Sequence, residues 1–295
     1  SFDDFISTEP SSDEAARLAV ITASLRPNEP INIQFTSGTT GLAKATTLSH
    51  YNILNNGFQI GHRMGLTGDD KLCLPVPMFH CFGLVLGSLA ALSHGSSIVF
   101  PAETFDPLQT LIAVHSQRCT VLHGVPTMFL AELNHPQFGQ FDLTSLRTGI
   151  MAGTLCPVDV MTRVVDDMNI SEMTVCYGMT ETSPVTFQTE RGDGITERTT
   201  SIGTVHPHVE AKVVATKTED ECDDDDDDVP PPLETAAAPT IPKCRTSLGD
   251  YEAALLALLQ LLEKVVDGEV SKRCDGAIAC QCLSVVASID IFRML

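Results

Sequence analysis

The sequence is poor in aromatic and basic residues, and the second shortage restricts which partners the protein can have. It has no tryptophan, and its 18 lysines and arginines are set against 38 aspartates and glutamates. The formal net charge of −20 argues against nucleic acid or an anionic membrane as a partner, since both repel an acidic protein. Residues 1–216 hold 21 acidic and 11 basic residues, and residues 217–295 hold 17 and 7, so the composition changes near residue 216.

Long apolar runs and paired cysteines are also missing. The longest apolar runs, Cys81–Leu92 and Ala253–Leu262, are too short to cross a bilayer, so we expect no transmembrane segment. Cys280 and Cys282 have no second Cys or His pair at zinc-site spacing, which argues against a metal site there. Five other cysteines are scattered through apolar runs and are expected to be small buried hydrophobes in a reducing compartment: Cys73, Cys81, Cys119, Cys156 and Cys176.

The chain divides into four segments. Residues 1–30 are polar and irregular and are interpreted as an N-terminal linker. Residues 31–215 contain the regular apolar segments, and residues 216–247 form an acidic and Pro-rich linker that we expect to be disordered. Nine of the ten residues in Glu219–Asp228 are acidic. Residues 248–295 are an unrelated tail, in which Asp250 is expected to cap one helix.

Residues 31–215 predict an α/β fold, because short strands alternate with helices. Strands are expected at Ile31–Phe35, Lys71–Val76, Ser97–Phe100, Thr120–His123, Leu146–Met151, Met173–Cys176 and Val209–Val214. Helices are expected at Ser49–Met64, Phe82–Leu92, Leu108–Ser116, Thr127–Leu133 and Pro157–Met168. This alternation is typical of βαβ units on a mixed, largely parallel sheet.

A Ser/Thr/Gly segment follows the first strand and ends in a lysine. It reads Thr36-Ser37-Gly38-Thr39-Thr40-Gly41-Leu42-Ala43-Lys44. The glycines allow successive backbone N–H groups to face one anion, the hydroxyls add donors, and Lys44 adds a positive charge. These groups suit a polyphosphate, although the glycine spacing is not that of a Walker A loop. Composition alone leaves an ordinary loop equally open.

This segment resembles the phosphate-binding signature of the AMP-forming adenylating superfamily, which includes acyl-CoA synthetases. A second motif of that family, Tyr177-Gly178-Met179-Thr180-Glu181, lies downstream. Pro77-Met78-Phe79-His80 and Ala152-Gly153 stand between the two in the family's order, and Ser201–Val205 resembles the next family segment. The resemblance covers about residues 30–214 and is strongest to the medium-chain acyl-CoA synthetases. It implies part of the family's large domain and, for location, the mitochondrial matrix.

The resemblance also implies a two-step reaction and a role for each matching residue. A carboxylic acid attacks the α-phosphate of Mg-ATP, and coenzyme A then displaces AMP from the acyl-adenylate. Thr36–Lys44 would hold the β- and γ-phosphates, Thr180 would contact the α-phosphate, and Glu181 would bind Mg²⁺. Tyr177-Gly178 would lie against adenine, Ala152 and Gly153 would let the nucleotide approach the backbone, and His80 would sit near the carboxylate. The implied catalytic residues are thus Lys44, Thr180, Glu181 and His80.

Each of these residues also has a structural explanation. Glu181 alone is more often a solvated loop acid, and His80 in an apolar surround is more often a core histidine. Gly124–Thr127 either borders the acyl or pantetheine channel, by resemblance, or only starts a helix at Pro126.

Two family features are not recognisable: the aspartate that holds the ribose, and the small C-terminal domain with its catalytic lysine. We therefore expect an impaired synthetase and keep two alternatives. One is a non-catalytic nucleotide-binding fragment or interaction protein, and the other is an aryl-CoA ligase on the same scaffold.

Overall fold

The computed structural model describes residues 11–36 and 43–213. Its first element, α1 (Ser12–Ser24), corrects the irregular backbone expected before residue 31. The Ser11 hydroxyl accepts a hydrogen bond from the Glu14 N–H, and the Glu14 carboxylate accepts one from the Ser11 N–H. This reciprocal capping pair starts the helix, which has no buried residue. Local capping rather than core packing therefore accounts for it.

A two-stranded antiparallel sheet holds the ends of the Ser/Thr/Gly segment. Its strands are β1 (Pro30–Thr36) and β2 (Lys44–Ser49), and their register pairs Thr36 with Lys44. The sequence predicts β1 but misses β2, because four of its six residues are polar and only Leu48 is buried. The hairpin is separate from the main sheet, so β1 is not part of the βαβ series.

The main sheet has seven strands in the order β4-β3-β5-β6-β7-β8-β9. β3 to β7 run parallel, whereas β8 and β9 run antiparallel to their neighbours, which gives the mixed, largely parallel sheet that was expected. The strands are β3 (Lys71–Cys73), β4 (Ser97–Val99), β5 (Val121–Gly124), β6 (Thr148–Ala152), β7 (Glu172–Gly178), β8 (Val185–Gln188) and β9 (Thr204–Val205).

The carboxyl-terminal part of the sheet differs from the expectation. β8 and β9 have four and two residues, too short for an alternating pattern to stand out. The strand expected at Val209–Val214 is wrong for residues 209–213, which are non-helical and unpaired, with Val213 98 % exposed. Val214 lies outside the described residues. The segment has the alternating apolar pattern of a strand, but among the described residues no strand pairs with it.

The capping signals that the sequence predicts are confirmed for two of the helices. The helices are α2 (His50–Met64), α3 (Ala90–Ser93), α4 (Pro107–Gln117), α5 (Pro126–Leu133), α6 (Val158–Asp167) and α7 (Ile195–Thr200). Ser49 caps α2 by accepting from the Asn52 N–H, and Gly65 ends it in the left-handed conformation. Asp106 caps α4 in the same way, with Pro107 in the first turn. Within the expected helix Phe82–Leu92, residues Phe82–Leu89 form a π-helix that continues into α3.

Two hydrophobic clusters lie against opposite faces of the sheet. Leu72 and Ile150 belong to one cluster, whereas the next residues in the same strands, Cys73 and Met151, belong to the other. This division follows from the alternation of side chains along a strand. α2 and the π-helix cover the first face, and α4, α5 and α6 cover the second. No helix within the described residues is long and apolar enough to span a bilayer.

Candidate active site

The hairpin places Thr36 and Lys44 at the two ends of the proposed phosphate-binding segment. Thr36 is half-buried at the end of β1, and Lys44 is exposed at the start of β2. The register pairs their Cα atoms directly. Ser37, Gly38, Thr39, Thr40 and Gly41 lie outside the described residues, so their role remains a prediction. The cation and one hydroxyl therefore flank the same short segment.

The second motif lies where β7 leaves the sheet. Gly178 is the last residue of β7, and Thr180–Thr182 form a 3₁₀ turn. The Thr182 hydroxyl accepts from the Met179 N–H at 3.1 Å and lies 2.7 Å from the Pro184 carbonyl, to which it donates. A Cβ at Gly178 would overlap the Pro184 carbonyl oxygen. The chain thus turns back tightly here and leaves Glu181 exposed.

Thr36 and Glu181 meet across the two motifs, although 145 positions separate them in the chain. The Thr36 hydroxyl lies 3.5 Å from Oε1 of Glu181. Glu181 therefore has a partner at the end of β1, and its role as a metal ligand stays a prediction. A carboxylate oxygen and a hydroxyl next to an expected polyphosphate suit Mg²⁺, a hard cation that keeps several water ligands and needs few protein ligands. Among the described residues no group of three or more His, Cys, Asp or Glu side chains forms a separate metal site.

Ala152, Gly153 and Tyr177 lie at the carboxyl edge of the parallel strands. β6 ends at Ala152, whose register partner in β7 is Cys176, the residue before Tyr177. Gly153 adopts φ +92°, a conformation that side-chain-bearing residues rarely adopt. The Tyr177 ring is 55 % exposed and makes an edge contact with Phe187 at 6.2 Å between ring centroids. The Tyr177 ring and the backbone at Gly153, which has no side chain, thus lie at the ends of adjacent strands. Open α/β sheets bind ligands at this edge.

His80 lies on the turn before the π-helix and is exposed, unlike the core histidine that was the alternative. Its Nδ1 accepts a hydrogen bond from the Phe82 N–H at 3.0 Å, so in the neutral ring Nε2 carries the proton. Partial desolvation by the surrounding protein lowers the pKa of His80. The imidazole is thus neutral near pH 7 and can donate from Nε2 toward solvent or a ligand.

Cys81 was interpreted from the sequence as a buried hydrophobe, and the structure shows a polar contact as well. It is 5 % exposed, and its Sγ lies 3.5 Å from the Thr180 hydroxyl and 3.7 Å from His80 Nδ1. Burial raises the pKa of Cys81 despite hydrogen bonds that act in the opposite direction, so the group stays a thiol at pH 7. The only signal in the sequence was its position directly after His80.

A cleft of about 280 Å³ opens on another side of Glu181. α2 contributes Tyr51, Asn55 and Gln59 to its wall, and His206 and Val209 face them. Tyr177, expected against adenine, does not line this cleft, and neither do Ala152 and Gly153, which were expected to let the nucleotide approach the backbone. The proposed nucleotide site is therefore the carboxyl edge of the sheet and not this cleft. Gly124–Thr127 includes the Pro126 start of α5, as the structural alternative expected, and its role in a channel stays a prediction.

The chain was compared with known protein families and proteins. The model of the AMP-binding enzyme family matches residues 2–227. The acyl-CoA ligase sidI of Aspergillus fumigatus is 50 % identical over 195 residues, which are 66 % of this chain and 33 % of that protein. The mitochondrial medium-chain acyl-CoA ligase ACSF2 of Danio rerio is 43 % identical over 206 residues, or 69 % of this chain and 34 % of that protein. The chain thus spans about a third of the length of these relatives.

Solved structures show the same fold. ATP-bound MatB from Rhodopseudomonas palustris is 28 % identical, with a TM-score of 0.54 over 62 % of this chain and 35 % of that one. The N-terminal domain of FACL13 from Mycobacterium tuberculosis is 22 % identical, with a TM-score of 0.55 over 62 % and 45 % of the two chains. This likeness shows the fold alone. Since the family model covers more than half of the sequence, the chain belongs to the AMP-binding enzymes, in the superfamily of AMP-forming adenylating proteins.

Proposed function

We propose that this site activates a carboxylic acid with ATP and transfers the acyl group to coenzyme A. The observation that carries the proposal is the approach of Thr36 to Glu181, with Thr180 in the same turn. The contact joins a hydroxyl at the end of β1 to the carboxylate of Glu181, and Thr180 precedes Glu181 in the chain. Family membership and the acyl-CoA ligases among the relatives support the same reaction class.

The residues would act mainly by positioning and neutralising charge, which in-line phosphoryl chemistry chiefly requires. Lys44, Thr36 and the segment Ser37–Gly41 would hold the β- and γ-phosphates. Thr180 would donate to an α-phosphate oxygen, while Glu181 would hold Mg²⁺, which neutralises phosphate charge when bound. The His80 Nε2–H would orient the substrate carboxylate. Adenine would lie against Tyr177, with Gly178, Ala152 and Gly153 leaving room for the nucleotide.

Bond changes in the two steps balance without further reactants. A carboxylate oxygen forms a bond to the α-phosphorus while the bond to pyrophosphate breaks. The sulfur of coenzyme A then attacks the acyl carbon, AMP leaves, and the thiol proton passes to solvent. Because a net charge of −20 repels nucleic acid, we do not propose nucleic acid as a partner. The proposed partners are a carboxylic acid, ATP and coenzyme A.

A medium-chain fatty acid is the proposed substrate, and the mitochondrial matrix the proposed location. Both rest on the ACSF2 relatives of zebrafish, cattle and mouse, which are named as medium-chain and mitochondrial. An aryl acid is the second candidate for the same site. A series of carboxylates from butyrate to dodecanoate, with benzoate and anthranilate, separates the two by the rate of adenylation.

Pyrophosphate exchange tests the adenylation step. The purified 295-residue chain is given Mg-ATP, octanoate and labelled pyrophosphate. The Lys44→Ala, Glu181→Ala double variant removes both proposed charges, whereas Lys212→Ala, Glu103→Ala removes one exposed charge of each sign elsewhere. Because the sequence predicts an impaired synthetase, we expect weak exchange. The first pair should reduce it by at least about 100-fold, the order of effect seen when a charge-stabilising group is removed, and the second should leave it intact.

Binding of a nonhydrolysable acyl-adenylate completes the test. Binding without exchange would favour the alternative of a nucleotide-binding protein whose chemistry needs residues that this chain lacks. If neither ATP nor the analogue binds at any Mg²⁺ concentration, the proposed function is wrong.

A further inference from the structure

The contact between Cys81 and Thr180 joins two segments that are each held rigidly by their own backbone. On the Cys81 side, the His80 N–H donates to the Pro77 carbonyl at 3.3 Å and the Leu84 N–H donates to the His80 carbonyl at 3.0 Å. On the Thr180 side, the Ser183 N–H donates to the Thr180 carbonyl at 3.2 Å. The 3.5 Å separation of Sγ and Oγ1 is therefore set by both backbones.

Either atom of this contact could donate, and the hydrogen-bonding capacity of the neighbours favours the Cys81 thiol as the donor. His80 Nδ1 already accepts from the Phe82 N–H, which leaves the Thr180 oxygen as the better acceptor for the Cys81 S–H. Among the described residues, the Thr180 side chain has no other hydrogen-bond partner. If its oxygen accepts from Cys81, its own proton is free to point away from the thiol.

A bound phosphate oxygen needs such a donor, because it is an anionic acceptor. Thr180 is 9 % exposed, so few water molecules compete for its hydroxyl proton. Without the thiol, the hydroxyl could rotate about the Cα–Cβ and Cβ–Oγ bonds, and ligand binding would then have to fix that rotation. Side-chain ordering of this kind reduces affinity.

We propose that Cys81 is a positioning residue, whose thiol donates to Thr180 and aims the Thr180 hydroxyl proton at the α-phosphate of the nucleotide. The inference rests on the proposed function, because it assigns Thr180 to the phosphate. Cys81 would then act on the nucleotide without touching it. The inference also explains why a buried position that any small apolar residue could occupy makes a polar contact with Thr180. A packing role for Cys81 is the competing explanation.

A double-mutant cycle separates positioning from packing. The affinity of the full chain for a nonhydrolysable acyl-adenylate is measured for Cys81→Ala, Cys81→Ser, Thr180→Ala and the Cys81→Ala, Thr180→Ala pair. We expect Cys81→Ala to weaken binding about three- to tenfold, the range of one hydrogen bond. Cys81→Ser keeps the donor and is expected to stay within about twofold of the unsubstituted chain. Cys119→Ala is the matched control, a buried thiol that approaches the Ala113 carbonyl and the Cys73 thiol and does not contact Thr180.

The decisive comparison is made without Thr180. If Cys81 acts through Thr180, the double variant binds no more weakly than Thr180→Ala alone, whereas a packing role adds a further loss of the same size. Equal weakening by Cys81→Ser and Cys81→Ala would also overturn the inference. If the unsubstituted chain does not bind the analogue, the proposed function is wrong, and this inference, which depends on it, is wrong as well.

A second measurement needs no ligand. Three-bond coupling constants of the Thr180 methyl carbon report whether its χ1 angle occupies one rotamer. We expect one rotamer in the unsubstituted chain and in Cys81→Ser, and averaging in Cys81→Ala. A coupling pattern that is identical in all three variants would contradict positioning by the thiol, whatever the binding data show.

Discussion

Asn56 and Val185 form two hydrogen bonds through which a helix holds a strand 129 positions away. The Asn56 Nδ2 donates to the Val185 carbonyl at 2.7 Å, and the Val185 N–H donates to Asn56 Oδ1 at 3.0 Å. Asn56 is 7 % exposed and lies on α2, which follows the hairpin of β1 and β2. Val185 opens β8, which follows the Thr180–Thr182 turn. This amide therefore fixes the distance between the two motifs.

Replacing Asn56 by Ala leaves the buried Val185 N–H and carbonyl without their side-chain partner. Each unsatisfied backbone group costs about 1–3 kcal/mol, so we expect a loss of at least about 2 kcal/mol in the free energy of unfolding. Urea denaturation measures it. Asn55→Ala is the control, because the Asn55 amide only donates to the Tyr51 carbonyl of its own helix. Equal losses in the two variants would show that the Asn56 contact is not special.

Substituting Gly178 by Ala tests the tight return of the chain after β7. The added Cβ would overlap the Pro184 carbonyl oxygen, which is backbone and cannot rotate away. We expect a loss of about 1–3 kcal/mol in unfolding free energy, typical of overpacking, together with weaker binding of the acyl-adenylate analogue. Gly139→Ala meets no atom within 4 Å and should be nearly neutral in both measurements. A stable Gly178→Ala variant with normal binding would mean that the turn is more adaptable than its packing indicates.

Glu132 predicts a pH dependence of stability. It is 1 % exposed, its Oε2 has no hydrogen-bond partner among the described residues, and burial raises its pKa well above the usual value of 4.5. The folded state therefore holds the proton more tightly than the unfolded state. The stability from this neutral form is fully present below about pH 4.5, the unfolded pKa, and falls as pH rises toward the folded pKa, by about 1.4 kcal/mol per pH unit.

The Glu132→Gln variant cannot ionise and should lose that part of the pH dependence. We expect its advantage over the unsubstituted chain to grow between pH 5 and pH 7 in urea denaturation. Glu103→Gln is the control variant, because it makes the same replacement at an exposed carboxylate. A difference between Glu132→Gln and the unsubstituted chain that is constant with pH would contradict the raised pKa.

His123 predicts the opposite dependence at lower pH. Its buried ring lies between the Leu86 carbonyl, 3.1 Å from Nε2, and the Ile150 N–H, 3.2 Å from Nδ1. Burial lowers its pKa to about 4, so the unfolded chain takes up the proton first as the pH falls below about 6.5. Stability from the neutral ring is present above pH 6.5 and is lost as pH falls toward 4, by about 3 kcal/mol in all.

A His123→Gln variant has an amide in place of the titrating ring. We expect a smaller loss of stability between pH 6.5 and pH 4 than in the unsubstituted chain, read as the urea midpoint. The same replacement at the exposed His62 is the comparison variant. If His123→Gln and the unsubstituted chain lose stability in parallel over this range, His123 does not titrate as the burial of its ring implies.

Local signals in the sequence determined most of the helices and the parallel strands. Ser49 and Gly65 bound α2, and Asp106 with Pro107 starts α4, because caps act within one turn of the chain. The strands β3 to β7 were also recognisable from the local sequence. Strands of a parallel sheet carry apolar side chains toward both faces and therefore form short apolar runs. The capping pair of Ser11 and Glu14 was equally local, and the helix was missed because residues 1–30 were interpreted by their composition as a linker.

The two family motifs identified the candidate site residues, but their contacts depend on the tertiary structure. The Thr36–Glu181 and Cys81–Thr180 pairs are separated by 145 and 99 positions, and nothing in either segment specifies its partner. The separate hairpin, the antiparallel β8 and β9 and the order of strands bring these segments together. A side chain's hydrogen-bond partner depends on which strand lies next to its own. The sequence alone therefore identified the candidate residues for the proposed chemistry, whereas only the tertiary structure shows that Cys81 contacts Thr180 and that Asn56 contacts Val185.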